Sequence, residues 1–92
     1  MSRAILHGHT VKPYVMKDDK RGIPTVSFTL KDEYSTDWFP CFAVGSIARA
    51  LVNKTQPEEP LIMICDIVST PDTMLPGINS RVAFRVMSFS RG

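Results

Sequence analysis

Residues 36–48, Thr-Asp-Trp-Phe-Pro-Cys-Phe-Ala-Val-Gly-Ser-Ile-Ala, constrain this chain more than any other stretch. Aromatic and β-branched residues that alternate predict a strand, and a glycine then leads it into a helix. On a strand, Trp38, Pro40, Phe42 and Val44 fall on one face and Phe39, Cys41 and Ala43 on the other. The second set includes two small residues suited to a tight interior. The first begins with the only tryptophan, which follows Asp37. An aromatic row on an outward strand face predicts a platform on which flat groups stack, nucleobases being the commonest.

The remaining elements follow from alternation and turn chemistry. Residues 3–11 predict a first strand, with Gly8 marking the bend or bulge that a small barrel needs; it continues past Pro13 to Met16. Asp18-Asp19-Lys20-Arg21-Gly22 is a charged turn ending in glycine. Residues 25–31 are the clearest strand: Val26, Phe28 and Leu30 point one way, Thr25, Ser27, Thr29 and Lys31 the other. A polar loop with Asp32, Glu33 and Tyr34 precedes the tryptophan strand. Ser46 is a helix N-cap candidate, and Ile47, Ala50 and Leu51 give the short helix one apolar stripe ending near Asn53. Residues 55–60 form a proline-bounded loop with Glu58 and Glu59. Residues 61–68 are a nearly continuous apolar run, the pattern of a buried strand. Residues 69–80, with Pro71, Pro76 and Gly77, read as a long loop. In the last strand, 81–89, Val82, Phe84 and Val86 face one way and Arg81, Ala83, Arg85, Met87 and Phe89 the other. Cys41, Ala43, Val26, Phe28, Leu30, Ile64 and Phe84 are expected in the interior.

Three strands, a helix and two strands is the order of an OB-fold, an all-β, five-stranded Greek-key barrel whose strand face and flanking loops bind oligonucleotides or oligosaccharides. Ninety-two residues suffice for one such domain, spanning 1–92. So small a core makes self-association a natural further source of stability. The net charge of +2 permits an anionic partner without demanding one. No stretch has the length of a membrane span, and the N-terminus lacks the apolar core of a signal peptide. With Cys41 and Cys65 in apolar runs, a cytoplasmic chain with reduced, buried thiols is expected.

Within this order, several runs resemble the bacterial-type single-stranded DNA-binding proteins, phage and plasmid versions included. Ile5-Leu6-His7-Gly8 is similar to that family's first strand, and residues 22–30, GIPTVSFTL, to its second. Residues 36–48 resemble the family's acidic-Trp … Gly-x-Leu/Ile-Ala run, and 61–68 and 81–89 fit its last two strands. The Gly-Ile-Pro stretch also resembles primosomal replication protein B, a compact OB-fold relative. The resemblance implies that Trp38 is the stacking tryptophan. Val44 stands where the family has a second aromatic, leaving Phe42 as a partial replacement. Tyr34 substitutes for a loop tryptophan, and Met74 stands in a loop that lacks the family's aromatic. After Phe89 there is no glycine-rich linker or acidic tail, so the expectation is a stripped DNA-binding module.

Both readings lead to the same candidate site, with Trp38, Phe42, Tyr14 and Tyr34 as rings and Lys12, Lys17, Lys20, Arg21, Lys31, Arg81 and Arg85 as a phosphate track. Each feature has a bland counterpart: a large aromatic is most often mostly buried, and a single lysine or arginine is most often solvated. Asp37 and the strand alternation favour exposure of Trp38. Arg49 and Lys54 fall on the helix and are expected to be solvated. His7-Gly8-His9 with Cys41 and Cys65 lacks metal-ligand spacing, so no metal or other cofactor is expected. Without a nucleophile elbow, phosphate loop or paired carboxylates in apolar surroundings, no enzyme activity is expected. The expected function is binding of single-stranded DNA without strong sequence preference, in DNA replication or recombination, by a dimer or tetramer that could also meet replication proteins. Two alternatives are a protein-interaction module, either a primosome-type adaptor or a phage protein acting on a host partner, and an RNA-binding OB-fold.

Overall fold

The computed structural model of the chain describes residues 2–69 and 82–92. Its elements are β1 (Arg3–Thr10), β2 (Val15–Asp18), β3 (Pro24–Asp32), β4 (Trp38–Val44), α1 (Ser46–Lys54), β5 (Leu61–Ser69) and β6 (Val82–Arg91). The sheet runs β1-β5-β6-β4-β3-β2, and β1 also pairs with β3, which closes a five-stranded barrel. With its single short helix this is an OB-fold.

Closure depends on Gly8. Its backbone is opposite Leu61 of β5 and Asp32 of β3, so β1 changes partners at this residue. A Cβ here would lie 2.3 Å from the Lys31 carbonyl oxygen, an approach only glycine permits. The expected long first strand is divided. Thr10 is opposite Leu30 and Val15 is opposite Ser27, so the four residues 11–14 span only two of β3. Pro13 cannot donate to a ladder, and the two extra residues let Tyr14 turn its ring onto Phe28, 5.3 Å between centroids and edge-on.

Val26, Leu30, Cys41, Ala43, Ala48, Leu51, Leu61, Met63 and Cys65 fill the interior, with Phe28, Phe39 and Phe84 packed against them. The alternation of β3 and β4 is as the sequence predicts. That of β5 is not: Leu61, Met63 and Cys65 are buried while Ile62 and Ile64 are exposed, so Ile64 is not a core residue. An apolar run cannot reveal that one of its faces lies outside the barrel. In β6, Ile64 is opposite Ser88 and Cys65 opposite Val86, leaving Met87 as a bulge. One extra residue reverses side-chain parity, so Phe89 joins Val86 in packing on the core.

The helix also departs from expectation at its start. Gly45 is the N-cap, with φ 66°, and no side chain caps the helix. The Gly45 N–H donates to the Pro24 carbonyl at 2.8 Å. The chain turns out of β4 through a backbone conformation that glycine tolerates, which leaves Ser46 as the first helical residue. Ala48 and Leu51 form the buried face. No helix among the described residues is long and apolar enough to cross a membrane.

Candidate functional site

The outer wall of the barrel can be read row by row from strand register, since directly paired residues share a face. One row is His9, Lys31, Trp38 across β1, β3 and β4. A second is Val15, Ser27, Phe42, Arg85, Asp66, Arg3, crossing all six strands. A third is Lys17, Thr25, Val44. Trp38 faces outward because Phe39, Cys41 and Ala43 take the inward parity, and it is 50% exposed. The Lys31 ammonium lies 5.8 Å from the centre of its ring, within cation–π range. A half-exposed ring with a cation over it can receive a base on its accessible part and a phosphate at the ammonium.

The loop between β3 and β4 is knitted by its own polar groups. The Tyr34 N–H donates to the Asp32 carboxylate at 3.0 Å, and the Ser35 hydroxyl donates to Asp37 at 3.1 Å. It is also fixed to β1. The Glu33 N–H donates to the His7 carbonyl at 3.0 Å, His9 Nδ1 is 2.5 Å from Glu33 Oε1, and the His7 and Tyr34 rings meet edge-on at 5.2 Å. These contacts leave Tyr34 81% exposed beside the Trp38 row. The two histidines are the site residues that the sequence pattern missed. Their alternate spacing on a strand was the available signal, but only the register beside Lys31 shows what they face.

The remaining candidates divide. Lys17 is exposed on the same wall, and Lys12 and Lys20 are exposed in the connections flanking β2. Arg21 lies 3.7 Å from Asp19 in the turn. There the N–H of Ile23, and after it that of Arg21, holds the Asp19 carboxyl below its ordinary range. Phe42 has the outward parity but is only 7% exposed, so its ring is part of the wall rather than a presented platform. Tyr14 is turned inward: the Thr55 hydroxyl donates to its oxygen at 3.0 Å, and burial raises its hydroxyl pKa. Arg85 donates to the buried Asp66 carboxylate at 2.9 Å, with Arg3 at 3.5 Å on the other oxygen. Arg81 and Met74 lie outside the described residues. His7 and His9 are outside the barrel wall and Cys41 and Cys65 inside it, on opposite sides of the sheet. Burial raises both thiols, Cys65 to about 11.

No protein-family profile matches this chain, and no curated protein matches it in sequence. Solved structures do match it in fold. The single-stranded DNA-binding protein of Thermus aquaticus superimposes with a TM-score of 0.81 at 14% identity, over 100% of this chain and 40% of that one. The small single-stranded DNA-binding protein of Streptomyces coelicolor gives 0.76 at 16% identity, over 99% and 92% of the two chains. The protein priB of Ralstonia solanacearum gives 0.76 at 17% identity, over 99% and 97%. The fold is therefore the one shared by single-stranded DNA-binding proteins and priB, as the sequence resemblance implies.

Proposed function

We propose that this chain binds single-stranded DNA without strong sequence preference, as an accessory of DNA replication or recombination. The observation that carries this reading is the placement of Trp38 beside Lys31 on the outer wall of an OB barrel. Bases stack on Trp38 and on the exposed Tyr34, each contributing about 1–3 kcal/mol. Lys31 and Lys17 on the wall, with Lys12 and Lys20 beside it, neutralise phosphates and release counterions. Two rings and a net charge of +2 predict modest affinity per subunit. Linked sites on an oligomer would raise it through effective concentration.

The same barrel offers a surface for that assembly. Ile5 and Ile64 are directly opposite each other on the outside of β1 and β5, and Ile62 lies two residues along. Ile5 is 74% exposed, and Ile62, Ile64 and Met87 are exposed beside it. Among the described residues, 3–6 of β1 pair with β5 on one edge only, the His7 carbonyl already taking the Glu33 N–H on the other. An apolar face next to an open strand edge suits a second copy of the chain. The isoleucine wall and the likeness to priB also favour a second reading, a protein-interaction module. Titrating the tryptophan fluorescence with oligo(dT) at two salt concentrations decides between them. Quenching that weakens with salt supports DNA binding. No quenching at either salt removes it and leaves the interaction module.

A further inference from the structure

The contacts between β1 and the β3–β4 loop converge on one side chain. His9 is beside Lys31 in register, with Trp38 on the far side of Lys31. Its Nδ1 meets Glu33 Oε1 at 2.5 Å, with both side chains about three-quarters buried. Glu33 is the first residue of the loop that carries Tyr34, and its N–H is already committed to the His7 carbonyl. The charged and titratable groups around His9 are Lys31 and Asp32 on β3, Glu33 and Tyr34 in the loop, and His7 on its own strand. Glu58 approaches from the other side, its N–H on the Thr10 carbonyl at 2.6 Å. The strand on the remaining side, β5, places uncharged Leu61 and Ile62 against this part of β1.

We propose that His9 is a positioning residue that makes single-stranded DNA binding proton-linked, by holding the Tyr34 loop through Glu33 and setting the charge beside Lys31. This rests on the DNA-binding reading above. Among these groups the carboxylates of Asp32, Glu33 and Glu58 outnumber Lys31, so with a neutral imidazole the surroundings oppose a phosphate. An added proton makes the patch more positive by one charge and turns the His9–Glu33 hydrogen bond into an ion pair. The loop is then held more firmly, and a phosphate at Lys31 meets less repulsion. DNA binding and proton binding therefore favour each other, as linkage requires. Histidine is the side chain whose charge changes across the neutral range, so the linkage is tested between pH 8 and pH 6.

Two measurements on the full chain test it, one without DNA. The first is amide hydrogen exchange of Glu33 and Tyr34, expressed as protection relative to the unfolded chain at each pH. Protection rises as pH falls from 8 to 6 in the native protein and stays level in His9→Gln, which keeps an amide donor but cannot titrate. The second is oligo(dT) binding against salt. The native protein gains a salt slope steeper by about 0.7 at pH 6, one phosphate's worth on a single strand, and His9→Gln does not. Glu33→Gln raises affinity at pH 8 toward the native value at pH 6. Unchanged protection and slope across this range, or equal changes in His9→Gln, overturn the proposal. Rising protection with no DNA binding at either pH would overturn the DNA-binding reading and the linkage while leaving the His9 contact with the loop.

Discussion

Two stretches of the same outer wall carry opposite chemistry. Around Trp38 the wall presents Thr25, Ser27, Thr29, Lys31 and His9, with one large ring standing among short polar side chains. Around Ile5 it presents Ile62 and Ile64 with exposed Met87 beside them. The strands beneath are alike, since both alternate and both put their small or flexible residues inward, Cys41 and Ala43 on β4 and Met63 and Cys65 on β5. The difference lies in what each wall is offered to. Short polar side chains around a ring leave it half-exposed to a flat ligand, with the Lys31 ammonium over it. Branched apolar side chains in direct register gain only when another apolar surface covers them.

The sharpest test of this contrast uses two adjacent residues of β5. Met63 is fully buried and Ile64 is 40% exposed. Met63→Ala should cost about 2–5 kcal/mol of stability, a large part of what so small a domain has. Ile64→Ala should leave the urea midpoint of the dilute chain nearly unchanged. Equal losses would show that β5 is buried on both sides. The complementary change is Ile5→Glu with Ile64→Glu, which places two charges on the apolar wall. Light scattering at micromolar concentration should show an assembled native protein and a monomeric double variant with its fold intact. A native protein that is already monomeric, with and without DNA, removes the self-association reading.

The parts of the molecule that the sequence disclosed are those where one face is polar. On β3, Thr25, Ser27, Thr29 and Lys31 interrupt the apolar residues, so period two is visible and every inward position on it is buried or packed on the core. On β5, both faces are apolar and the alternation is invisible: Ile64 reads like Met63 until a barrel is closed around them. On β6, Phe84 and Val86 have the expected inward parity, but Ala83, expected outward, is fully buried and Val82, expected inward, is exposed; the bulge at Met87 then reverses parity for Phe89. A bulge has no sequence signature here, because any residue can occupy it. The outward placement of Trp38 was legible from the inward residues rather than from Trp38 itself. Phe42 shows the limit of that argument, since outward parity does not guarantee exposure where Arg85 and Ser27 flank the ring in register. His7 and His9 needed pairing with a loop many residues away, which local pattern does not contain.

On the polar wall, Trp38→Ala should leave the fold intact and cost about 1–3 kcal/mol in oligo(dT) affinity. Lys31→Glu should weaken binding and lower the salt slope by about 0.7, the loss of one phosphate contact. Arg49→Glu, on an exposed helical residue, is the control and should do much less. If Trp38→Ala unfolds the chain, the ring is structural. If it folds and binds DNA as before, the polar wall is not the stacking face, and the isoleucine wall becomes the principal functional surface.

The smallest expected effect separates the inside of β5 from its outside by pH. Cys65 points into the barrel and its chain neighbour Asp66 out of it. Burial is the main cause that raises the Cys65 thiol from 9.0 to about 11, with the Asp66 charge adding to it. A thiol whose folded pKa lies above its unfolded value keeps its proton in the native state while the unfolded chain loses it. The stabilising contribution is therefore complete below about pH 9 and disappears as pH rises toward 11, by at most about 1.4 kcal/mol per pH unit for one proton. Tyr14, raised by burial, changes stability in the same direction. The informative quantity is thus the difference between the native protein and Cys65→Ala, taken from urea midpoints at pH 8 and pH 10.5. The native protein should lose more stability over this interval than the variant, although the variant starts lower because of the cavity it creates. Parallel losses would mean that Cys65 ionises in the folded barrel as readily as in the unfolded chain. The inner face of β5 would then be as wet as the outer one, and the contrast between Met63 and Ile64 would fail with it.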